Sequence, residues 1–284
     1  MNENFDRRYK LRIGVSQSRA FEVGGISNES GTALHIDFSI EKSDSETSNT
    51  GTISVWNLND SQLAVLQLEN CEIELQAGYG NNLARIISGD VTHVSTSLDG
   101  ADRKTEIEFV ENCVLLKNSY ITLSYAGNIG CKTIIERIAS SLGVAVAYSK
   151  KAIFKSCGNG FSFVGAASAA LSKVCGICGL NWSIQNGVLQ IFTANEAVNT
   201  KAYLLNTETG LVDVPKQVTF AASDGGDTLK GWEIKYLMNA AININDTVQI
   251  ESRTINGAYR VKELVISGDN FSGDWCCTAQ IVEA

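Results

Sequence analysis

Apolar and polar positions alternate along two separate stretches of the chain, in nearly the same order each time. From about Thr32 to Glu111, "ALHIDFSIEK" alternates, "GTISVWNLND" alternates and then turns, "CEIELQAGYG" runs into a glycine-rich turn, and "TEIEFVEN" alternates again. Period-two patterning bounded by turn formers predicts half-buried strands. The last third repeats the series: "GTISVWNLN" sits beside "GWEIKYLMN", "CEIELQAG" beside "DTVQIES", "ISGDV" beside "INGAYRV", and "IEFVE" beside "AQIVE". The closing stretch is a hairpin: Val261, Leu264 and Ile266 on one arm, "SGDNFSGD" as the turn, and Cys277, Ala279 and Ile281 on the other. The shared order of elements predicts a duplicated β unit.

Between the copies the period changes. In "GCKTIIERIASSLGVAV", Ile134, Ile138 and Leu142 recur four apart with Gly143 as a stop. In "FSFVGAASAALSKVCGICGL", the residues Val164, Ala167, Leu171, Val174 and Cys178 recur at three and four, and Gly179 follows. Each predicted helix precedes a strand, "VAVAYS" and then "LNWSIQNGVLQIF", whose "QNG" signals a hairpin turn. "SDGGDTLKG" reads as a loop into the second copy. The predicted fold is mainly β with an α+β insertion: two similar β units, residues 1–111 and 203–284, flanking a small α+β domain, 112–202.

The chain has 284 residues, ample for a sizeable core, with 44% hydrophobic and 19% charged residues. No apolar run approaches the roughly 20 residues of a membrane helix, so no membrane partner is expected. "MNENFDRRYKLRIGV" lacks the apolar core of a secretory signal, so the expected compartment of synthesis is a cytoplasm. The formal charge of -8 argues against nucleic-acid binding as the main activity, while allowing DNA to pass without sticking. Eight cysteines in such a compartment are expected as reduced, buried thiols. Pro215 is the single proline, and His35 and His93 are the two histidines, which limits acid–base chemistry.

Candidate chemistry is sparse. The Cys175–Cys178 pair "CGIC" falls at the C-terminal end of its predicted helix, where the dipole raises thiol pKa, unlike the N-terminal placement in thiol oxidoreductases. No second CxxC completes a zinc site. Cys276 and Cys277 are adjacent in a strand and point to opposite faces. His35 and His93 lie in alternating strands outside any nucleophile motif. "AGYGNN" lacks the lysine of a phosphate-binding loop, and the spacing in "SDGGD" matches no calcium loop. Glu106, Glu108 and Glu111 read as the solvated face of a strand, a pattern that a charged lumen shares. No catalytic residue, metal or cofactor is expected. The competing classes are a carbohydrate-binding β module using exposed members of Trp56, Trp182, Trp232 and Trp275, and an oxidoreductase using Cys175 and Cys178.

"FSIEKSDSETSNTGTISVWNLNDSQLAVLQ…IELQAGYG" resembles the opening of baseplate hub proteins of phage tails, with Phe38, Ile40, Lys42, Asn49, Ile53, Val55, Asn57, Leu58 and Gly78–Tyr79 in the family's places. "TGLVDVP", "LMNAAININDTVQI", "INGAYRV" and "SGDNFSGDW" extend the resemblance, although Leu237–Ala240 and Asn245–Asp246 stand where the family usually has Leu-Asn-Pro and Pro-Gly. The resemblance implies that the two β units are similar β-barrel-like tube domains, and that three chains form a homotrimeric ring that adapts a sixfold tail tube to a threefold spike, with the insertion outside. It implies as partners the tail tube or a distal adaptor ring, the central spike protein and the C-terminus of the tape-measure protein, with DNA passing through the lumen during genome ejection. The location it implies is the virion's tail baseplate, after assembly in the host bacterial cytoplasm. Candidate partner-contact turns are Asn57, Leu58, Asn59 and Asp60; Gly78, Tyr79 and Gly80; and Gly268, Asp269, Asn270 and Asp274.

Overall fold

The computed structural model describes residues 6–15, 18–25, 33–194, 196–198, 201–220 and 228–284. The first β unit comprises β1 (Arg7–Gly14), β2 (Ala20–Gly24), β3 (Ile36–Ser43), β4 (Thr50–Trp56), the short helix α1 (Asp60–Leu66), β5 (Glu72–Tyr79), β6 (Asn82–Asp99) and β7 (Asp102–Val110). The middle holds α2 (Cys113–Lys117), β8 (Tyr120–Tyr125), β9 (Ile129–Gly130), α3 (Cys131–Leu142), β10 (Ala145–Tyr148), β11 (Ser156–Cys157), β12 (Phe161–Ala166), α4 (Ala167–Cys178), β13 (Asn181–Gln185) and β14 (Val188–Phe192). The last part holds β15 (Ala202–Leu205), β16 (Lys216–Phe220), β17 (Leu229–Leu237), β18 (Thr247–Glu251), β19 (Asn256–Asp269) and β20 (Trp275–Glu283). The loop "SDGGD" lies outside the described residues.

The two β units form one body. Their strands join in a 13-stranded sheet of order β16-β17-β20-β19-β3-β4-β7-β6-β5-β1-β2, with β15 and β18 attached beside β19. The seam between the units is the antiparallel pair β19–β3. A single hydrophobic core spans both, from Leu11 and Ile13 through Phe38, Ile53 and Phe109 to Ile234, Leu264 and Ile281. Alternation produces this directly: on β3 the side chains of Ile36, Phe38 and Ile40 are buried while Asp37, Ser39 and Glu41 are exposed.

The duplication holds in the ladders. Val91 pairs with Phe109 and Val94 with Ile107, with an extra residue, Thr92, bulged between them. In the second unit Val261 pairs with Ile281 and Leu264 with Ala279, again across a bulge, at Lys262. A β-bulge is a specific irregularity, so its recurrence at the same rung is stronger than similarity of pattern. The ladders also correct the pairing of "GTISVWNLN" with "GWEIKYLMN" by one residue. Gly51 pairs with Phe109 and Trp232 with Ile281, so the counterpart of Gly51 is Trp232, and Ile53 matches Ile234. A one-residue slip would turn Glu233 and Lys235 toward the core.

The insertion has its own core, in which α3 and α4 cover the β10-β14-β13 sheet and fully bury Ile134, Ile138, Leu171 and Val174. Both helices end as expected, with Gly143 and Gly179 left-handed at φ 71° and 70°. The β13–β14 turn has Asn186 and Gly187 at φ 51° and 78°, as a two-residue hairpin turn requires. One expectation fails: α4 begins at Ala167, and Phe161–Ala166 is strand β12, paired to β8. Val164 therefore lies on no helix face and is 63% exposed. The run Phe-Ser-Phe alternates, and backbone pairing with β8 outweighs the helical spacing that continues downstream.

Candidate functional surfaces

The structure gathers all three groups of candidate turn residues at one end of the large sheet. Asn57 Oδ1 accepts from the Arg103 N–H at 3.0 Å and Asn57 Nδ2 donates to Asp102 Oδ1 at 2.9 Å, tying the β4–α1 turn to the β6–β7 tip. Arg103 also donates to the Leu58 carbonyl and, at 3.0 Å, to Asp60 Oδ1. Asn59 caps α1 by accepting from the Gln62 N–H while Gln62 returns the bond. On the β5–β6 turn, Tyr79 Oη donates to the Trp275 carbonyl at 3.5 Å, and the Gly80 N–H to the Asp6 carbonyl at 2.9 Å.

The β19–β20 turn is the centre of this end. Arg7 Nη1 donates to the carbonyls of Asp269 and Gly273 at 2.9 and 2.7 Å, and Asn270 Oδ1 accepts from the Ile36 N–H. His35 Nε2 lies 3.2 Å from Asp269 Oδ1 while its ring stacks on Trp56 at 3.9 Å, and Phe271, 81% exposed, leans on it. Burial alone would raise the Asp269 pKa, yet the N–H donors of Phe271 and Ser272, with His35, hold it below the usual value. The neighbouring Asp37 is pushed up, first by burial and then by the charge of Asp269. Asp274 pairs with Lys235 at 3.1 Å. Arg7 and His35, which fasten the end together, carry no sequence signal beyond strand position; the cross-chain contacts appear only in three dimensions.

The face of the sheet opposite the core is polar. Across consecutive rungs it carries Glu233, Gln280 and Glu263; Asp37, Ser54, Glu106 and Ser95; and Thr52, Glu108 and His93. Lys104, Lys216 and Lys235 are interspersed among them, and on these strands carboxylates outnumber the cations.

At the other end of the sheet a buried polar seam holds the insertion. Lys42 Nζ donates to the Ile86 carbonyl at 2.5 Å and lies 3.4 and 3.3 Å from Asn186 Oδ1 and Asn243 Oδ1. Glu111, expected on a solvated face, is 1% exposed: it accepts from Asn49 Nδ2 at 2.5 Å and from the Asn186 N–H at 2.7 Å. It lies just past the end of β7, where the chain turns under the insertion. Arg260 Nη1 bonds Asp44 Oδ2 at 2.8 Å and Asn245 Oδ1 at 2.6 Å, and its Nη2 reaches the Ala194 carbonyl at 2.8 Å. Lys42 is lowered to about 8, by burial first, against the opposing pull of Glu111.

The family model for baseplate hub gp41 matches residues 20–268. The chain belongs to that family. It is a structural protein of the phage tail, and its place is the baseplate of the virion. Among solved structures, the 43 kDa tail protein of prophage MuSo2 from Shewanella oneidensis is similar, with TM-score 0.64 over 98% of each chain at 11% identity. A tail protein from Neisseria meningitidis MC58 gives TM-score 0.64 at 8% identity, covering 98% of this chain and 97% of that one. The E. coli c3393 protein, a type VI secretion component described as similar in structure to phage T4 tail proteins gp27 and gp5, gives 0.59 at 9% identity over 88% and 74%. At such identities these likenesses concern the fold. A search of curated proteins finds no match.

In this hub chain the groups weighed for other functions have structural surroundings. Cys175 lies in the last turn of α4, and burial pushes its thiol up to about 12; Cys131, whose Sγ is 3.9 Å from that of Cys157, is likewise raised to about 12 by burial. Among the described residues no group of three or more His, Cys, Asp or Glu could hold a metal, and no helix is long and apolar enough to cross a membrane. Trp182 and Trp275 are buried, Trp232 packs against the core and one face of Trp56 is stacked on His35, so the four tryptophans do not pair into an exposed platform.

Proposed function

We propose that three copies of this hub chain close into a ring with six quasi-equivalent β units, joining a sixfold tail tube (or a distal adaptor ring) to the threefold central spike. The observation that carries this is the duplicated ladder: strands β6 and β7 and strands β19 and β20 share the same pairing and the same bulge. A chain holding two such units is what a threefold assembly needs to present sixfold symmetry. The two units, residues 1–111 and 203–284, form the ring as tube-like domains, and the insertion, residues 112–202, stands outside it.

The polar, carboxylate-bearing face lines the channel. DNA slides past it during genome ejection because like charges keep the phosphates from adhering. The tape-measure protein ends at this channel, and the turn end, with Asn57–Asp60, Gly78–Gly80, Gly268–Asn270 and Asp274, meets the neighbouring ring or spike. The family assignment and the likeness to tail and secretion-system proteins support this reading. Light scattering of the purified chain tests it: a mass about three times 30.6 kDa, with rings containing a central hole in negative stain, is expected. A chain that stays monomeric both alone and with its spike overturns it.

A further inference from the structure

The insertion and the rest of the chain differ in charge. Residues 112–202 hold eight of the 23 Lys and Arg residues but two of the 31 Asp and Glu residues, so a cationic insertion is built into an acidic chain. Four of those cations meet at one corner. Lys132 Nζ lies over the rings of Tyr148 and Phe154, at 4.9 and 6.0 Å, which sets the first turn of α3 against the loop after β10. That loop carries Lys150, Lys151 and Lys155, all exposed, and the Lys155 carbonyl accepts from the Cys131 N–H at 2.9 Å. Ile153 stands among them, 76% exposed. Two carboxylates adjoin the corner: Glu136, 3.4 Å from Tyr148 Oη, and Glu196, which accepts from the Lys151 N–H at 2.8 Å.

Folding does not call for this arrangement. The first turn of a helix favours carboxylates, because its N–H groups leave a positive end, yet α3 has Lys132 there and no acidic residue. Stacking on two rings accounts for Lys132 but not for Lys150, Lys151 and Lys155, which gather beside the same positive end. Local choices that oppose stability are expected where a site is kept for binding. An anionic partner relieves the repulsion.

Two features select the partner's class. The rings of Tyr148 and Phe154 are taken up by Lys132 and by each other, so they offer no platform for stacking bases. Strand β10 is an edge of its sheet and, among the described residues, pairs with β14 alone, so its other edge offers main-chain groups that an extended peptide can use and a lipid surface cannot. We propose that this corner binds an acidic, extended peptide segment of a neighbouring baseplate protein. Its carboxylates meet Lys150, Lys151 and Lys155, and an apolar side chain between them covers Ile153. The contact uses the insertion alone and does not depend on how the β units close into a ring.

The test uses the full chain and a short fluorescein-labelled peptide in which Asp or Glu alternates with Leu, followed by fluorescence anisotropy. Saturable binding that weakens as salt rises is expected. Lys150→Glu with Lys151→Glu lowers the affinity about tenfold or more. Ile153→Ser, which removes no charge, lowers it about threefold. Lys117→Glu with Lys201→Glu, the same change of charge at exposed positions elsewhere in 112–202, leaves it within about twofold, all with unchanged circular dichroism. Hydrogen exchange in residues 145–155 slows when the peptide binds. Equal losses from the two double variants, or binding without slowed exchange there, overturn the proposal. So does a chain that ignores the peptide, or one that prefers single-stranded DNA or phosphatidylserine vesicles to it. Light scattering of the Lys150→Glu, Lys151→Glu chain keeps the ring separate: a mass equal to that of the wild type is expected, and a lower mass places the corner in the contact between copies and overturns the peptide site.

Discussion

Gly268 and Phe38 face each other across the β19–β3 seam, and a Cβ on Gly268 would fall 2.2 Å from Phe38 Cζ. The phenyl ring cannot retreat: it is buried at 1% and meets Trp275 edge-on at 5.5 Å. Gly268→Ala is therefore expected to cost about 1–3 kcal/mol, measured by urea unfolding, through overpacking at the joint between the two units. Phe38→Leu in the same background should recover part of the loss. A Gly268→Ala chain as stable as the wild type would show that the ring has room the geometry denies.

Asp44 anchors two cations, Arg260 and Lys262, each at 2.8 Å, and the side chains of Asp44 and Arg260 are 9% and 2% exposed. Removing the carboxylate leaves a guanidinium buried against Phe192 with its main counter-charge gone. Asp44→Ala is expected to destabilise by about 3–5 kcal/mol in chemical denaturation. Asp213→Ala, which breaks the exposed pair with Lys216, serves as the contrast and should leave the denaturation midpoint essentially where it is.

Lys42 gives the buried seam a pH dependence. Its pKa is lowered by burial from 10.5 in the open chain to about 8 in the fold. Below about 8 the amine is charged in both states, and the cost of burying that charge is fully present. Between about 8 and 10.5 the unfolded chain binds more protons than the folded one, so this residue's contribution to stability rises with pH and levels off above 10.5. The thiol of Cys277, held up near 12 by burial, works in the opposite direction above its ordinary value of 9. The measurement is thus a difference: wild type minus Lys42→Met, in urea titrations from pH 7 to about 10.5. A difference flat across that window would refute the account.

Thiol accessibility separates packing from chemistry. Cys131, Cys175 and Cys277 are buried, while Cys157 and Cys178 are partly exposed. Brief maleimide labelling of the native hub is expected to modify Cys157 and Cys178 first, leaving the six buried thiols unmodified until denaturant is added. Rapid native labelling of Cys175 would reopen the case for thiol chemistry in "CGIC".

The strands were legible because one face of each is buried and the period-two signal survives. Gly143, Gly179 and the Asn186–Gly187 turn were legible because each needs a left-handed backbone that few residues supply. The start of α4 was not, since Val164 fits the helical spacing equally well and only the partner strand β8 decides against it. Nor was the burial of Glu111, whose partners Asn49 and Asn186 lie 62 and 75 residues away. The candidate turns could be named singly from glycine and asparagine. Their meeting at one end depends on Arg7 and His35 reaching the β19–β20 turn across 262 and 234 residues.

The tip of the β13–β14 hairpin has a mechanical consequence. Asn186 is gripped from both β units at once, by Glu111 from the first and Asn243 from the second, with Lys42 between them. At this tip the insertion is tied to both halves together, so a displacement of the hairpin is shared between them and not borne by one alone.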